Sequence, residues 1–471
     1  MPLRADELVW RPAHVLAALV RSKQLSPVEL TETVLTRIEA LNPRLNAFCL
    51  VTADVARRAA REVEIALARG EPLGPLAGVP FSVKDVLFTR GVRTTGGSRL
   101  FADAVPDEDA VAVARLRAAG AVLVGKTNTS EFGHKALTDC PLFGATRNPW
   151  NPALTPGGSS GGAAAAVAAG LGPLALGTDG GGSLRIPAAF CGVVGFKPSW
   201  GRVPQHPVFP GWELLGVTGP ITRTVRDAAL VLDVIAGPDD RDRDSLPAEP
   251  GSYLAACEAS VKGLHVAWSP DLGHAAVEPA VQACCEAAAA AFEELGCHVE
   301  VVSPGWEDAE EVFTTLVSAQ FWAAWGDRVA EAEAAMDPTL VRFLRRGERV
   351  SARDYLRARE RVGRLWLEVQ EFLARFDLLL TPTTAVAPFP LEARPPREIA
   401  GRPVSVLGWM PFTFLFNLTG QPAASVPAGW TDDGRPVGLQ IVGRRHADRT
   451  VLAAAAAWEA ASGWSDRRPP L

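Results

Sequence analysis

No run of this chain approaches the roughly 18 consecutive apolar residues that a membrane-spanning helix needs. The longest alanine-rich run, residues 163–169, is too short and too weakly apolar to serve. The first residues, Met1-Pro2-Leu3-Arg4-Ala5-Asp6-Glu7, lack the charged and apolar regions of a secretory signal. Cysteine is sparse. The 7 cysteines are odd in number, scattered and without CxxC spacing, and the adjacent pair Cys284-Cys285 sits on a helical pattern. Such usage fits a reducing compartment better than a disulfide framework, so a cytoplasmic location is expected. A basic stripe is also missing: Lys+Arg 47 stand mixed among Asp+Glu 53, for a net charge of −6. Direct nucleic-acid binding is therefore not expected, because phosphates need clustered cations. Histidine is scarce too, with 7 residues, most of them in helix, strand or surface settings.

What the chain does have is length and apolar content. Its 471 residues, 48% hydrophobic, can bury a large core. Helix-period segments alternate with short apolar runs. Residues 12–22 read as an amphipathic helix, and Ser26-Pro27-Val28-Glu29-Leu30 starts a second with an N-cap, proline at N1 and an acid in the first turn. A helix over 109–119 ends at Gly120 and is followed by the buried strand Ala121-Val122-Leu123-Val124. Strand, helix and strand return over 264–267, 277–294 and 298–302; a strand is predicted over 376–382, two more over 423–442, and a last helix from about Asp448. This alternation predicts a layered α/β fold. Neither an internal repeat nor a linker is visible, so a single domain over 1–471 is expected. Its helical, charge-laced stretch at about 305–372 would form a lid or outer layer.

Two short motifs mislead. Residues 120–127 satisfy GxxxxGK[ST], but a phosphate-binding loop needs its strand before the first glycine, and here the interior residues are the strand itself. Gly157-Gly158-Ser159-Ser160-Gly161 satisfies GxSxG, yet the upstream Arg147-Asn148-Pro149-Trp150-Asn151-Pro152 cannot be the central strand that a nucleophile elbow requires. Only His134 and His206 lie in loops, so a Ser-His-Asp triad has little support.

A longer pattern survives: Thr155-Pro156-Gly157-Gly158-Ser159-Ser160-Gly161-Gly162, an alanine-rich helix, then Leu176-Gly177-Thr178-Asp179-Gly180-Gly181-Gly182-Ser183-Leu184-Arg185. Three glycines ahead of a serine can aim successive backbone N–H groups at one point, as an oxyanion hole must. A serine nucleophile also needs a base. With histidine poorly placed, a lysine can serve if burial keeps it neutral, and Lys84, inside the apolar run 79–87, is such a lysine.

These residues resemble the amidase signature hydrolases. The likeness runs from the N-terminal helices through Lys84 and the Gly/Ser stretch to Asn417-Leu418-Thr419-Gly420-Gln421-Pro422 and Gly438-Leu439-Gln440. It implies one α/β domain, a large twisted mixed sheet covered by helices on both faces, with the signature core at about 70–235. It implies amide hydrolysis through Ser183 as the acylated nucleophile, Ser159 as a bridging serine after a cis peptide, and Lys84 as base. Gly180, Gly181 and Gly182 would form the oxyanion hole. Ser160, Asp179 and Arg185 would support the loops, and Gly133 and His134 correspond to a pocket-lining segment. Relatives more often carry Thr or Ile at the position of Gly180. No cofactor or metal is expected; the partner is a small, apolar or aromatic amide, and a homodimer is the favoured assembly. The rival within the family is the glutaminase subunit of a tRNA-dependent amidotransferase. That subunit carries an acid before its Asn-Leu-Ala-Gly segment, whereas Trp409-Met410-Pro411-Phe412-Thr413-Phe414-Leu415-Phe416 holds none. Trp150, Trp200, Trp212 and Trp409 read as packing residues, of which Trp200 and Trp409 lie in segments that could wall a pocket.

Overall fold

The computed structural model describes residues 5–471. Met1–Arg4, part of the N-terminal stretch discussed above, lies outside them. Eleven strands form one mixed sheet: β1 (Phe48–Val51), β2 (Pro80–Lys84), β3 (Val122–Thr127), β4 (Leu174–Thr178), β5 (Val194–Lys197), β6 (Thr218–Thr222), β7 (His265–Trp268), β8 (His298–Val301), β9 (Leu378–Pro382), β10 (Ala423–Trp430) and β11 (Pro436–Gly443). Their order across the sheet is β1-β3-β2-β4-β6-β5-β10-β11-β9-β7-β8. The sheet is continuous, so the α/β single domain read from sequence is what the chain forms.

Local chemistry explains several elements. Helix α1 (Pro27–Leu45) starts where Ser26 Oγ accepts from the N–H groups of Val28 and Glu29, with Pro27 inside the first turn. β2 lies between β3 and β4, parallel to both, and all five of its residues are buried. A strand covered on both faces reads as an unbroken apolar run. The interior of the rejected GxxxxGK[ST] match is β3, and its Lys126 is fully buried. There Lys126 donates to the Leu87 carbonyl and to the hydroxyls of Thr89 and Thr94, and lies 3.7 Å from Asp85.

Helices cover both faces of the sheet, and β11 shows it. A side chain built on Gly438 would meet Ala189 of α3 (Arg185–Cys191), and one built on Gly443 would meet Val451 of α8 (Asp448–Ser462). An odd separation along a strand puts two side chains on opposite faces, so the two helices pack against opposite sides. α2 (Gly161–Ala168), fully buried, packs beside α3. On the far side, α4 (Pro279–Glu294) packs on β10 and β11. Three further helices, α5 (Glu310–Ala332), α6 (Pro338–Glu348) and α7 (Ala352–Arg375), occupy the stretch read as helical, with α6 and α7 each packed on α5. α5 buries Phe313, Val317, Phe321 and Trp325. No helix among the described residues is long and apolar enough to cross a membrane.

Candidate active site

In open α/β sheets ligands collect at the carboxyl ends of parallel strands. Lys84 ends β2 and Thr178 ends the neighbouring parallel strand β4. The register pairs Val83 with Leu176, which brings the two strand ends together. Lys84 Nζ is hydrogen-bonded to Ser159 Oγ at 2.7 Å and to Thr178 Oγ1 at 2.8 Å. The lysine is fully buried, and burial pushes its amine down from 10.5 to about 7, against the opposing pull of Asp179. A buried amine without a carboxylate bonded to it can rest neutral.

Ser159 sits in the turn that enters α2, after a cis Gly158–Ser159 peptide. Thr138 pins this turn from outside: its hydroxyl donates to the Gly157 carbonyl at 2.8 Å and accepts from the Gly161 N–H at 2.9 Å. Ser160 ties the two halves of the motif together. Its hydroxyl donates to the Thr178 carbonyl at 3.1 Å and its N–H to the Ser183 carbonyl at 3.3 Å. Ser183, 8% exposed, opens onto a cavity that Ser159, Thr178, Gly133 and Gly180 also line.

The loop before Ser183 is wound around one carboxylate. Asp179 accepts from the N–H groups of Gly182 (2.7 Å) and Leu184 (3.1 Å) and from Arg185 Nε (3.0 Å) and Nη2 (2.9 Å). Asp179 and Arg185 are both fully buried. Burial alone would raise the carboxyl, but the guanidinium beside it holds it well below the usual carboxylate range. Arg185 also donates to the Thr413 carbonyl, Gln440 Oε1 and Asn417 Oδ1, while Asn417 Nδ2 donates back to Asp179. The Thr413 hydroxyl donates to the Gly181 carbonyl at 2.7 Å. Asn417, Thr413 and Gln440 thus belong to the site's framework, a part that sequence reasoning missed. The available signal was a polar residue inside an otherwise apolar segment, at 412–418 and 438–442.

The expected oxyanion hole needs one correction. The Gly182 N–H already donates to Asp179 and so faces away from the cavity's reacting side. The N–H groups of Gly180, Gly181 and Ser183 have no protein acceptor among the described residues. His134 is the second correction. It does not line the cavity; Nδ1 pairs with the Glu131 carbonyl at 2.8 Å and Nε2 with Thr339 Oγ1 at 2.7 Å, next to α6. Burial pushes its imidazole down to about 4, with Lys135 adding to the effect. Gly133, in contrast, faces the lysine and serine. Its φ is +70°, and a Cβ there would lie 3.2 Å from Ser159 Oγ and 3.8 Å from Lys84 Nζ.

The empty space of the cavity, part of it open to solvent, is about 540 Å³. Its walls include Val86, Leu87, Val208, Phe209 and Trp212, and none of its lining side chains is an acid, a lysine or an arginine. Neither Trp200 nor Trp409 lines it; Trp409 is buried against Phe190 and Phe389. Arginines do gather in one other place. An open groove among α5, α6 and α7 sets Arg342, Arg345, Arg346, Arg349, Arg357 and Arg361 against Glu311, Glu333 and Asp354, so charge is less evenly mixed in space than along the chain.

Comparison with known proteins finds relatives over nearly the whole chain. A family model described as Amidase matches residues 29–452. An acylamidase of Rhodococcus erythropolis is 43% identical over 468 residues, covering 98% of both chains. One component of the glutamyl-tRNA(Gln) amidotransferase of Moorella thermoacetica is 40% identical, covering 99% of both. A bacterial aryl acylamidase of the amidase signature family superposes with a TM-score of 0.91 at 36% identity, over 97% of this chain and 98% of the other.

Proposed function

We propose that this chain, which belongs to the amidase family, hydrolyses small neutral amides with an apolar or aromatic acyl group through an ester intermediate on Ser183. It is an amide hydrolase acting on linear carbon–nitrogen bonds. The observation that carries the mechanism is the 2.7 Å contact between Ser159 and a lysine whose amine is pushed down to about 7. When neutral, Lys84 takes the Ser159 hydroxyl proton, Ser159 takes that of Ser183, and Ser183 Oγ attacks the carbonyl carbon. The carbonyl π bond opens to an oxyanion held by the N–H groups of Gly180, Gly181 and Ser183; one such donor is typically worth about 3 kcal/mol. The oxyanion then collapses, the C–N bond breaks, and the leaving nitrogen receives its proton through Ser159. Water adds to the ester carbon, the acid departs, and Ser183 recovers its proton.

The decisive experiment is labelling with a fluorophosphonate followed by peptide mapping. Modification of Ser183, together with loss of all turnover in Ser183→Ala, is expected. Modification of Ser159 or Ser160 instead would overturn the assignment.

The 40% identity to an amidotransferase component keeps glutamine in view as a substrate. A glutamine α-ammonium needs an anionic partner, and no acidic side chain lines the cavity, which favours a neutral acyl group. Ammonia release from glutamine by the purified chain would reverse this preference. The proposal includes a cytoplasmic homodimer, an assembly that light scattering on the purified protein measures directly.

A further inference from the structure

Gly180 is a glycine for which its own backbone gives no reason. Its φ is not in the left-handed region, so an L side chain could adopt the conformation. The reason lies across the cavity. A Cβ at 180 would sit 2.2 Å from Cε3 and from Cζ3 of Trp212, a distance no carbon pair tolerates.

Trp212 has little freedom to withdraw. Its Nε1–H donates to the Phe132 carbonyl at 2.9 Å, and its ring meets Phe321 of α5 edge-on, at 5.3 Å between centroids. Phe132 is itself stacked on Trp325 of α5 at 4.3 Å and 14°. The Gly216 N–H donates to the Trp212 carbonyl at 2.8 Å, which fixes the backbone as well. The aromatic side chains of α5 therefore hold the wall from behind.

The two edges of the indole face different residues of the site: Gly133 lies at the pyrrole edge and Gly180 at the benzo edge. A Cβ on Gly133 would lie 3.2 Å from Ser159 Oγ and 3.5 Å from Trp212 Nε1, so the pyrrole edge belongs to the side on which Ser159 protonates the leaving nitrogen. The benzo edge lies on Gly180, beside the N–H groups that would hold the carbonyl oxygen.

We propose that Gly180 and Trp212 form a size-exchange pair that limits the acyl group to small or flat, single-ring acids. The indole supplies a rigid wall against which a planar acyl group stacks, and the glycine makes room for that wall. This rests on the acyl-enzyme reading given above.

The test compares kcat/KM for 4-nitroanilides of acetic and 2-naphthoic acids, and for acetamides of aniline and 2-naphthylamine. In Trp212→Ala the naphthoyl-to-acetyl ratio should rise by about tenfold or more, the range that pocket misfit commands. The ratio between the two acetamides should change far less. Gly180→Ala alone should lose about tenfold or more on the acetyl anilide, and adding Trp212→Ala should restore much of that loss. An unmoved naphthoyl ratio, a shift confined to the amine series, or a double variant no better than Gly180→Ala would overturn the proposal. Trp212→Leu carries the same comparison should the alanine variant not fold. Fluorophosphonate labelling of Ser183 in every variant separates the two readings. If Ser183 is labelled and the ratios stay fixed, only the size-exchange pair fails; if Ser183 is not labelled in the parent, the acyl-enzyme reading fails.

Discussion

Both hydrogen bonds of Lys84 go to hydroxyls, Ser159 Oγ at 2.7 Å and Thr178 Oγ1 at 2.8 Å. A lysine bonded to a carboxylate would be held protonated, whereas this one is buried among groups that solvate a neutral amine as well as a charged one.

A pH dependence follows directly. Lys84 must be unprotonated to accept a proton, and its amine is pushed down to about 7. Activity should be near its plateau above pH 8 and half-maximal near pH 7. It should fall about tenfold for each further pH unit of acidification below 6. A kcat/KM profile flat from pH 5 to 8 would exclude the amine as base.

Stability rises with pH for the same residue, but over a higher window than activity. The unfolded chain holds the lysine proton more tightly than the folded one does, so burial of Lys84 opposes folding fully below pH 7. That cost fades as pH rises from 7 toward 10.5. Lys84→Met should therefore be inactive yet at least as stable as the parent at pH 7, a result read from Tm. A large drop in Tm would mean that the charged form had been well accommodated.

Asp179→Asn leaves the Arg185 guanidinium buried without its anion. Breaking such a pair typically costs about 3–5 kcal/mol, to be read from urea unfolding. Activity should fall further than stability explains, because the same carboxylate orients the Gly182 and Leu184 N–H groups ahead of and behind Ser183.

Gly133→Ala places a methyl 3.2 Å from Ser159 Oγ on a backbone at φ +70°. The left-handed conformation should cost about 1–2 kcal/mol of stability. A displaced Ser159 hydroxyl should lower kcat by about a hundredfold, since misplacement near 1 Å has effects of that order. Wild-type kcat in this variant would show that Ser159 tolerates the methyl.

His134→Gln separates a structural histidine from a substrate contact. Both ring nitrogens are engaged by Glu131 and Thr339, so KM and the pH profile should stay close to the parent. Losing one neutral hydrogen bond should cost about 1 kcal/mol in unfolding. A raised KM with unchanged stability would restore the histidine to the pocket.

Much of this was legible in the amino-acid order because local rules act over short spans. The N-cap at Ser26, the buried run 79–87 and the strand–helix–strand order over 264–302 each depend on neighbours a few residues away, and each formed within two residues or so of expectation. What went unread was the identity of partners distant in sequence. His134 meets Thr339, Trp212 meets Gly180 and Phe132, and Arg185 meets Thr413, Asn417 and Gln440. Gly182 was misread because three glycines look like equal donors, when a carboxylate three residues earlier had already taken one N–H.

Residue order alone determined the layered α/β class and the family likeness, and it singled out a lysine and two serines, because periodicity and a long Gly/Ser pattern are local properties of a chain. Which N–H groups remain free, which tryptophan walls the cavity and whether Lys84 meets a hydroxyl or an acid were decided only by folding. Those answers depend on close contacts between segments up to hundreds of residues apart, set by packing across the eleven-stranded sheet.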